Sequence, residues 1–306
     1  MLTYAEASSE QGNYKTMNKT IIRGGALIEK PKFEDYRYEF VMGAALLPEE
    51  FSVRDKISKV EAQGDSYSCI GQAFAYYAEV LNKIETNEDT QLSARDIYSL
   101  IHQPNGGAFL RDGALKLVKS GVVLEKDAPS YIGEAPPTEA FMRQRNDITT
   151  AEIERGHTYL SKSAFRVPER SVRAIKQAIF EGHGCVGGVI GDNAGWEEPE
   201  GGIVKPPKNG NWGHSIFLTG FKVINGKEYI EFCNSWGSGW GNLGYGYLGE
   251  DYFKSGNVFR PWVLIDIPNK FYPTAKKQIS LLQKLIVFYE VLIERLRRTV
   301  KKALEL

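Results

Sequence analysis

The chain has 306 residues, of which 42% are hydrophobic and 25% charged, and its 38 basic side chains balance 38 acidic ones. This is the composition of an ordinary globule, long enough for one large domain or two lobes, and without the basic excess of a nucleic-acid partner. Three scattered cysteines, Cys69, Cys185 and Cys233, are too few for a disulfide framework and leave an odd thiol, which favours a reducing, intracellular compartment.

The opening MLTYAEASSEQGNYK has neither a basic n-region nor an apolar h-region, so no signal peptide is expected. Nor does any run of about 18 uncharged apolar residues read as a spanning helix. Residues 1–46 are polar with weak periodicity and read as an N-terminal extension, a possible short proregion. In QGDSYSCIGQAFAYYAEV, residues 63–80, one cysteine follows small polar residues and precedes a helical pattern. Ile70, Phe74, Tyr77, Leu81 and Ile84 fall at spacings of four, three, four and three, which predicts a helix burying one stripe. Ser66 and Ser68 are capping types at its start. A second helix is expected over 94–102, a loop at PNGG, 104–107, and a third helix over 112–123 stopped by Gly121. The polar stretch 133–170 reads as a surface excursion with some helix between Thr149 and Leu160.

After Ser171 the pattern changes. SVRAIKQAIFEG reads as a helix, CVGGVIG as a buried strand, and HSIFLTGFKVINGKEYIEFCNSW as a hairpin turning at Asn225-Gly226. Helices in the first half and strands in the second argue α+β with two lobes. Pro268 and Pro273 bracket a linker, 267–274, and beyond it Ile279, Leu282, Ile286, Tyr289, Ile293, Leu296, Val300 and Ala303 alternate spacings of three and four. That heptad seam with a basic flank predicts an amphipathic helix over 275–306, suited to packing, self-association or a membrane surface.

The chemistry starts from Cys69. Thiolate is the reactive form, and a helix start favours negative charge. A nucleophile also needs an oriented base. Of His102, His157, His183 and His214, only His214 heads a strand. A two-residue turn at Asn225-Gly226 puts Asn234 opposite Phe217, on the wrong face for His214. Gly220, inside the strand, marks a bulge. One extra residue puts Asn234 opposite Ile216 and makes His214 its diagonal neighbour, so an amide can hold the imidazole by one nitrogen while the other faces a thiol. Taken alone, Cys69 would more often be a buried structural thiol. Cys185 and Cys233 read as buried strand residues. His183 and Cys185 lack the second pair of ligands a metal site needs, so no metal or cofactor is expected.

From Leu47 to Pro261 the chain resembles a papain-like cysteine peptidase. LPEEFSVRD resembles the start of the mature enzymes, QGDSYSC keeps the six-residue step from the oxyanion-hole glutamine to the nucleophile, and PNGG resembles the substrate-pairing glycine segment. GHSIFLTGF resembles the histidine strand, and CNSWGSGWG matches N-S-W-G-x-G-W-G almost letter for letter. The resemblance implies a two-lobed α+β fold, with a helical lobe at about 55–135, a β-rich, barrel-like lobe at about 171–266 and the active site in the cleft of a 47–266 peptidase domain. It implies Cys69 as nucleophile, His214 as base, Asn234 as its orienter and Gln63 as oxyanion donor. Gly106, Gly107, Gly213, Trp236 and Trp240 are the expected substrate-binding positions, with Val189 beside Gly213 as a subsite wall. The expected partner is a peptide or protein substrate, cleaved through a thioester.

Three positions depart from the family pattern. Ser66 stands where a disulfide cysteine is usual, Tyr67 replaces a glycine, and Ile70 replaces a tryptophan. The lost disulfide fits a non-secreted history. Two alternatives stand beside hydrolysis: a catalytically quiet papain-fold protein assembled or anchored by its C-terminal helix, and a transpeptidase or amidase on cell-wall-type peptides.

Overall fold

Helices dominate the first half of the chain and strands the second. In chain order the elements are β1 (Ala26–Leu27), β2 (Phe51–Ser52), α1 (Cys69–Thr86), α2 (Ala94–Ile101), β3 (Ala108–Phe109), α3 (Leu110–Ser120), α4 (Glu139–Met142), α5 (Thr150–Gly156) and β4 (Ser163–Arg166). They continue as α6 (Val172–Gly182), β5 (Cys185–Gly191), α7 (Asn193–Trp196), β6 (Ile203–Val204), β7 (Trp212–Ile224), β8 (Lys227–Cys233), β9 (Tyr245–Gly249), α8 (Glu250–Lys254) and β10 (Val258–Ile265). The computed structural model describes residues 24–32, 35, 37, 38, 46–133 and 135–265. The linker and amphipathic helix expected over 267–306 lie outside them, as does most of the extension 1–46.

The stripe expected on α1 is wider but shorter in the fold: Ile84, a turn beyond Leu81, is exposed where the helix end leaves the core, while every residue from Cys69 to Leu81 is buried. Small residues make this possible. A Cβ at Gly71 would stand 2.5 Å from the Ala94 carbonyl, so only glycine lets α2 cross there. α2 is capped by Ser93, whose hydroxyl accepts the Asp96 N–H.

β1 and β3 form a separate two-stranded sheet, and the other eight strands form one sheet in the order β4-β10-β5-β7-β8-β9-β6, with β2 also paired to β7. Alternate residues of its central strands feed two cores, as the two-residue period requires. Val186, Phe217, Trp262 and Leu264 join the cluster around α1. Cys185, Val189, Ile216, Leu218 and Val263 join the one containing Ala178 and Ile179 of α6. This is an α+β fold with separate helical and β-rich parts.

The hairpin register matters most for the site. Asn225 and Gly226 both have positive φ, 50° and 74°, as a type I′ turn needs. Ile224 pairs with Lys227, and the pairing holds to Gly220 with Glu231. It then slips by one, so that Leu218 pairs with Phe232 and Phe217 with Cys233. The extra residue is Thr219, one position before the glycine the sequence points to. Its carbonyl accepts the Val53 N–H at 3.0 Å, while Gly220 lies where β2 crosses and a Cβ would overlap the Phe51 carbonyl oxygen. The bulge carries Asn234 into register with Ile216, diagonal to His214.

Candidate active site

Cys69 is the first residue of α1 and is fully buried. The serines before it act on each other rather than as caps. Ser68 makes no side-chain cap bond to the helix; its hydroxyl lies 2.7 Å from the Ser66 hydroxyl, which donates to the Gln63 carbonyl at 2.6 Å. This pins the loop from Gln63 to the thiol. The next residue after His214, Ser215, aims its backbone N–H at Cys69 Sγ, so β7 brings the histidine to the helix start.

His214 Nε2 lies 2.8 Å from Asn234 Oδ1. The same oxygen accepts the Ser235 backbone N–H at 2.8 Å, and this second donor fixes which way the amide points. An acceptor there requires the proton on His214 Nε2. Nδ1 then carries the lone pair, and it is buried without a hydrogen-bond partner among the described residues. A buried, unpaired imidazole nitrogen is costly unless chemistry uses it.

Ser235 also reaches the other loop. Its hydroxyl donates to Gln63 Oε1 at 2.7 Å, and its carbonyl accepts the Gln63 N–H at 2.8 Å. With Oε1 held this way, Gln63 Nε2 turns toward the loop that leads to Cys69 and donates to the Ser66 carbonyl at 2.8 Å. Sequence reasoning missed Ser235; its place directly after Asn234 in the matched motif was the available signal.

The Trp236 ring lies 4.8 Å from the His214 ring, tilted by 31°, and covers the imidazole. Trp240, expected to bind substrate, is instead one ring further back: it packs 5.5 Å from Trp236 and donates Nε1 to the Trp196 carbonyl. Its reach is into the core because Trp196, fully buried, draws Trp212, His214, Phe232, Trp236, Trp240 and Tyr252 around itself. No sequence signal singled out Trp196, which ends the short α7 in a glycine- and acid-rich stretch.

Residues 24–27 of the extension occupy the cleft. Gly25 lies against Tyr67 and Cys69, and a Cβ there would stand 3.0 Å from the thiol sulfur. β1 runs parallel to β3, with the Ala108 N–H donating to the Gly25 carbonyl at 2.8 Å. Gly213 lies under the Ala26 carbonyl, with Phe259 beside it, while Val189, paired across from His214, faces the core behind. Gly107 faces the Gly25 carbonyl, but its own N–H goes to the Tyr98 hydroxyl at 2.9 Å. Gly106 is covered by the Tyr67 ring and donates to the Gln103 carbonyl. The pairing donor toward the cleft segment is therefore Ala108, one residue beyond the expected glycines.

Burial sets the protonation. It pushes the Cys69 thiol up to about 12, against the pull of the N–H groups of Ser215, Ile70 and Cys69 itself, and holds His214 down at about 4. With the cleft covered, the pair is thiol and neutral imidazole. Among the described residues no group of His, Cys, Asp and Glu is arranged to hold a metal ion.

The model of a family described as papain family cysteine protease matches residues 47–258. A cysteine protease of Blomia tropicalis is 26% identical over 241 residues, covering 74% of this chain and 68% of that protein. Cysteine proteinase COT44 of Brassica napus is 26% identical over 224 residues, covering 71% and 64%. The chain thus spans about two thirds of the length of these curated relatives. Among solved structures, xylellain, a cysteine protease from Xylella fastidiosa, superposes with a TM-score of 0.65 at 20% identity, covering 83% of this chain and all of that one.

Proposed function

This chain belongs to the papain family of cysteine proteases, and from that premise we propose that it hydrolyses peptide bonds through Cys69, His214 and Asn234, with Gln63 as oxyanion donor. The observation that carries the reading is the convergence of His214 Nε2 and the Ser235 N–H on Asn234 Oδ1. It leaves a basic nitrogen, Nδ1, on a histidine whose strand passes the thiol.

In the proposed reaction Cys69 Sγ attacks the peptide carbonyl carbon as its proton resides on His214 Nδ1. The oxyanion is met by the Gln63 amide and the Cys69 backbone N–H at the helix start, donors of a kind often worth about 2.7 to 4 kcal/mol each. Collapse breaks the C–N bond, and His214 gives its proton to the leaving amine. Water then attacks the thioester, giving one proton to His214, and the carboxylic acid leaves as the thiol reforms. Asn234 keeps the imidazole in the right tautomer throughout, and Trp236 keeps water from the bond between them, which is stronger in a dry surrounding.

Residues 24–27 cover this apparatus, so the reading includes a closed state in which the chain blocks its own cleft. The test is covalent. A peptidyl epoxide is incubated with the full chain and with one lacking residues 1–46, beside Cys69→Ala and His214→Ala controls, and the adduct is located by mass spectrometry. Labelling at Cys69 that weakens in His214→Ala is expected, faster without the extension. No labelling at Cys69 in either folded protein ends the reading.

A further inference from the structure

The loops on either side of the covered glycines have no covalent tie: all three cysteines are free thiols, and Ser66 stands where the family pattern has a disulfide. A carboxylate sits there instead. Glu139 Oε2 accepts the backbone N–H of Tyr67, two residues before the thiol, at 2.8 Å. Glu139 Oε1 accepts the Tyr98 hydroxyl at 2.7 Å and Arg143 Nε at 2.6 Å. Both donors lead to the glycine loop: the Tyr98 oxygen accepts the Gly107 N–H at 2.9 Å, and Arg143 Nη1 donates to the Pro104 carbonyl at 3.1 Å.

The backbone around Glu139 repeats the link. Its N–H donates to the Asp65 carbonyl and the Asp65 N–H to the Pro137 carbonyl, each at 3.1 Å. The Tyr67 ring closes over Gly106, where a Cβ would stand 2.6 Å from Tyr67 Cδ2 and 3.3 Å from Arg143 Nη2. A surface segment that sequence reasoning left as an excursion thus buttresses the half of the cleft formed by Tyr67, Gly106 and Gly107.

We propose that Glu139 is a positioning residue that clamps the nucleophile loop to the glycine loop, in place of a covalent staple, and so shapes the wall against which the peptide lies. The inference rests on the peptidase reading. Charge-assisted bonds to a carboxylate are among the stronger ones, and three donors on two oxygens fix its position as one bond would not. Glu139 touches neither the sulfur nor the reacting carbonyl; its charge adds a smaller upward push on the thiol beside burial, an effect shared by any thiol reagent, so the clamp is read in peptide engagement relative to plain thiol reactivity.

The test compares two reagents on the full chain. Second-order labelling of Cys69 by a peptidyl epoxide, which must lie along this wall, is measured beside labelling by iodoacetamide, which needs only the thiol. The proteins are the wild type, Glu139→Gln and Tyr98→Phe. Tyr98→Phe cuts only the Gly107 arm and leaves the carboxylate bonded to Tyr67 and Arg143, so it serves even where Glu139→Gln folds poorly. The ratio of the two rates is the readout, because a change in how residues 24–27 cover the thiol moves both. A fall in the ratio of about tenfold or more in either folded variant is expected. A ratio within about threefold of wild type, or one that rises, overturns the clamp alone. Failure of both the full chain and the chain lacking residues 1–46 to take either reagent at Cys69 removes the peptidase reading and the clamp with it.

Discussion

The backbone of Gly25 passes so close over Cys69 that a single added carbon on it would stand 3.0 Å from the sulfur. The same carbon would overlap the Tyr67 carbonyl oxygen, and Gly25 holds a φ of +139°, a conformation that L side chains rarely adopt. Only glycine lets this segment lie here.

Gly25→Ala is therefore expected to dislodge the covering segment while leaving Cys69, His214 and Asn234 unaltered. Iodoacetamide labelling of Cys69 should rise about tenfold or more over wild type, since even 1.4 kcal/mol taken from the closed state is a factor of ten in its population. Equal rates in the two proteins would mean that the thiol is reached without moving the segment.

The buried pair makes the folded state sensitive to pH in both directions. His214 falls from an ordinary 6.5 to about 4, so its contribution to folding is complete above 6.5 and is lost as pH falls through 4. Cys69 rises from an ordinary 9.0 to about 12, so its contribution is complete below 9 and is lost as pH climbs toward 12. As far as this pair decides, the fold around the thiol is firmest between 6.5 and 9. Protection of the Tyr67 to Ile70 amides from hydrogen exchange should be greatest in that window and decline on either side.

Glu29 opposes the histidine on the acid side. Burial raises its carboxyl to about 7, while Oε1 accepts the Arg111 N–H at 3.1 Å, with Arg111, Asp112 and Asp35 as its charged neighbours. A raised carboxyl contributes stability that is complete below its ordinary 4.5 and lost as pH rises through 7. Glu29→Gln removes that loss, so at pH 8 the variant should label more slowly than wild type, with the two converging near pH 5. Faster labelling at pH 8 would show that the ionised carboxylate holds the segment.

Asn234→Ala frees the imidazole to rotate while leaving thiol and base in place. In the uncovered protein kcat should fall roughly a hundredfold, the lower end of what a positioned base supplies, with KM little changed. Ser235→Ala keeps the N–H on Asn234 and loses only the hydroxyl on Gln63 Oε1. Its fall in kcat should be a fraction of that, about twofold to fivefold, the scale of one neutral hydrogen bond.

Trp196→Ala tests the packing beneath Trp236. The side chain is fully buried, and its Nε1 donates to the Tyr252 hydroxyl at 3.0 Å. Its removal should cost about 3 to 5 kcal/mol, the range for large aromatic truncations, read as a lowered urea midpoint. A midpoint within error of wild type would show the ring cluster to be dispensable.

Much of the site was legible in the sequence because short-range chemistry wrote it there. The spacing from Ile70 to Ile84 set α1 with Cys69 at its head, and Asn225-Gly226 with a glycine inside the strand gave the one-residue slip that aligns Asn234 with His214. Those features follow from the period of a helix and the geometry of a two-residue turn, which act over a few residues. Other contacts came from packing between segments far apart in the chain. Thr219 took the bulge because β2 crosses at Gly220, Trp240 turned inward because Trp196 lies behind it, Ser235 joined the Gln63 loop across 172 residues, and Glu139 clamped two loops from a stretch with no motif. Gly25 over the thiol is the plainest case: nothing in RGGALIE marks the residue that covers Cys69. The sequence by itself determined the elements and the reactive types, because these depend on local sterics and residue chemistry. Which distant segments cover, hold and dry the site was decided only by the tertiary structure, because it depends on how whole surfaces fit together.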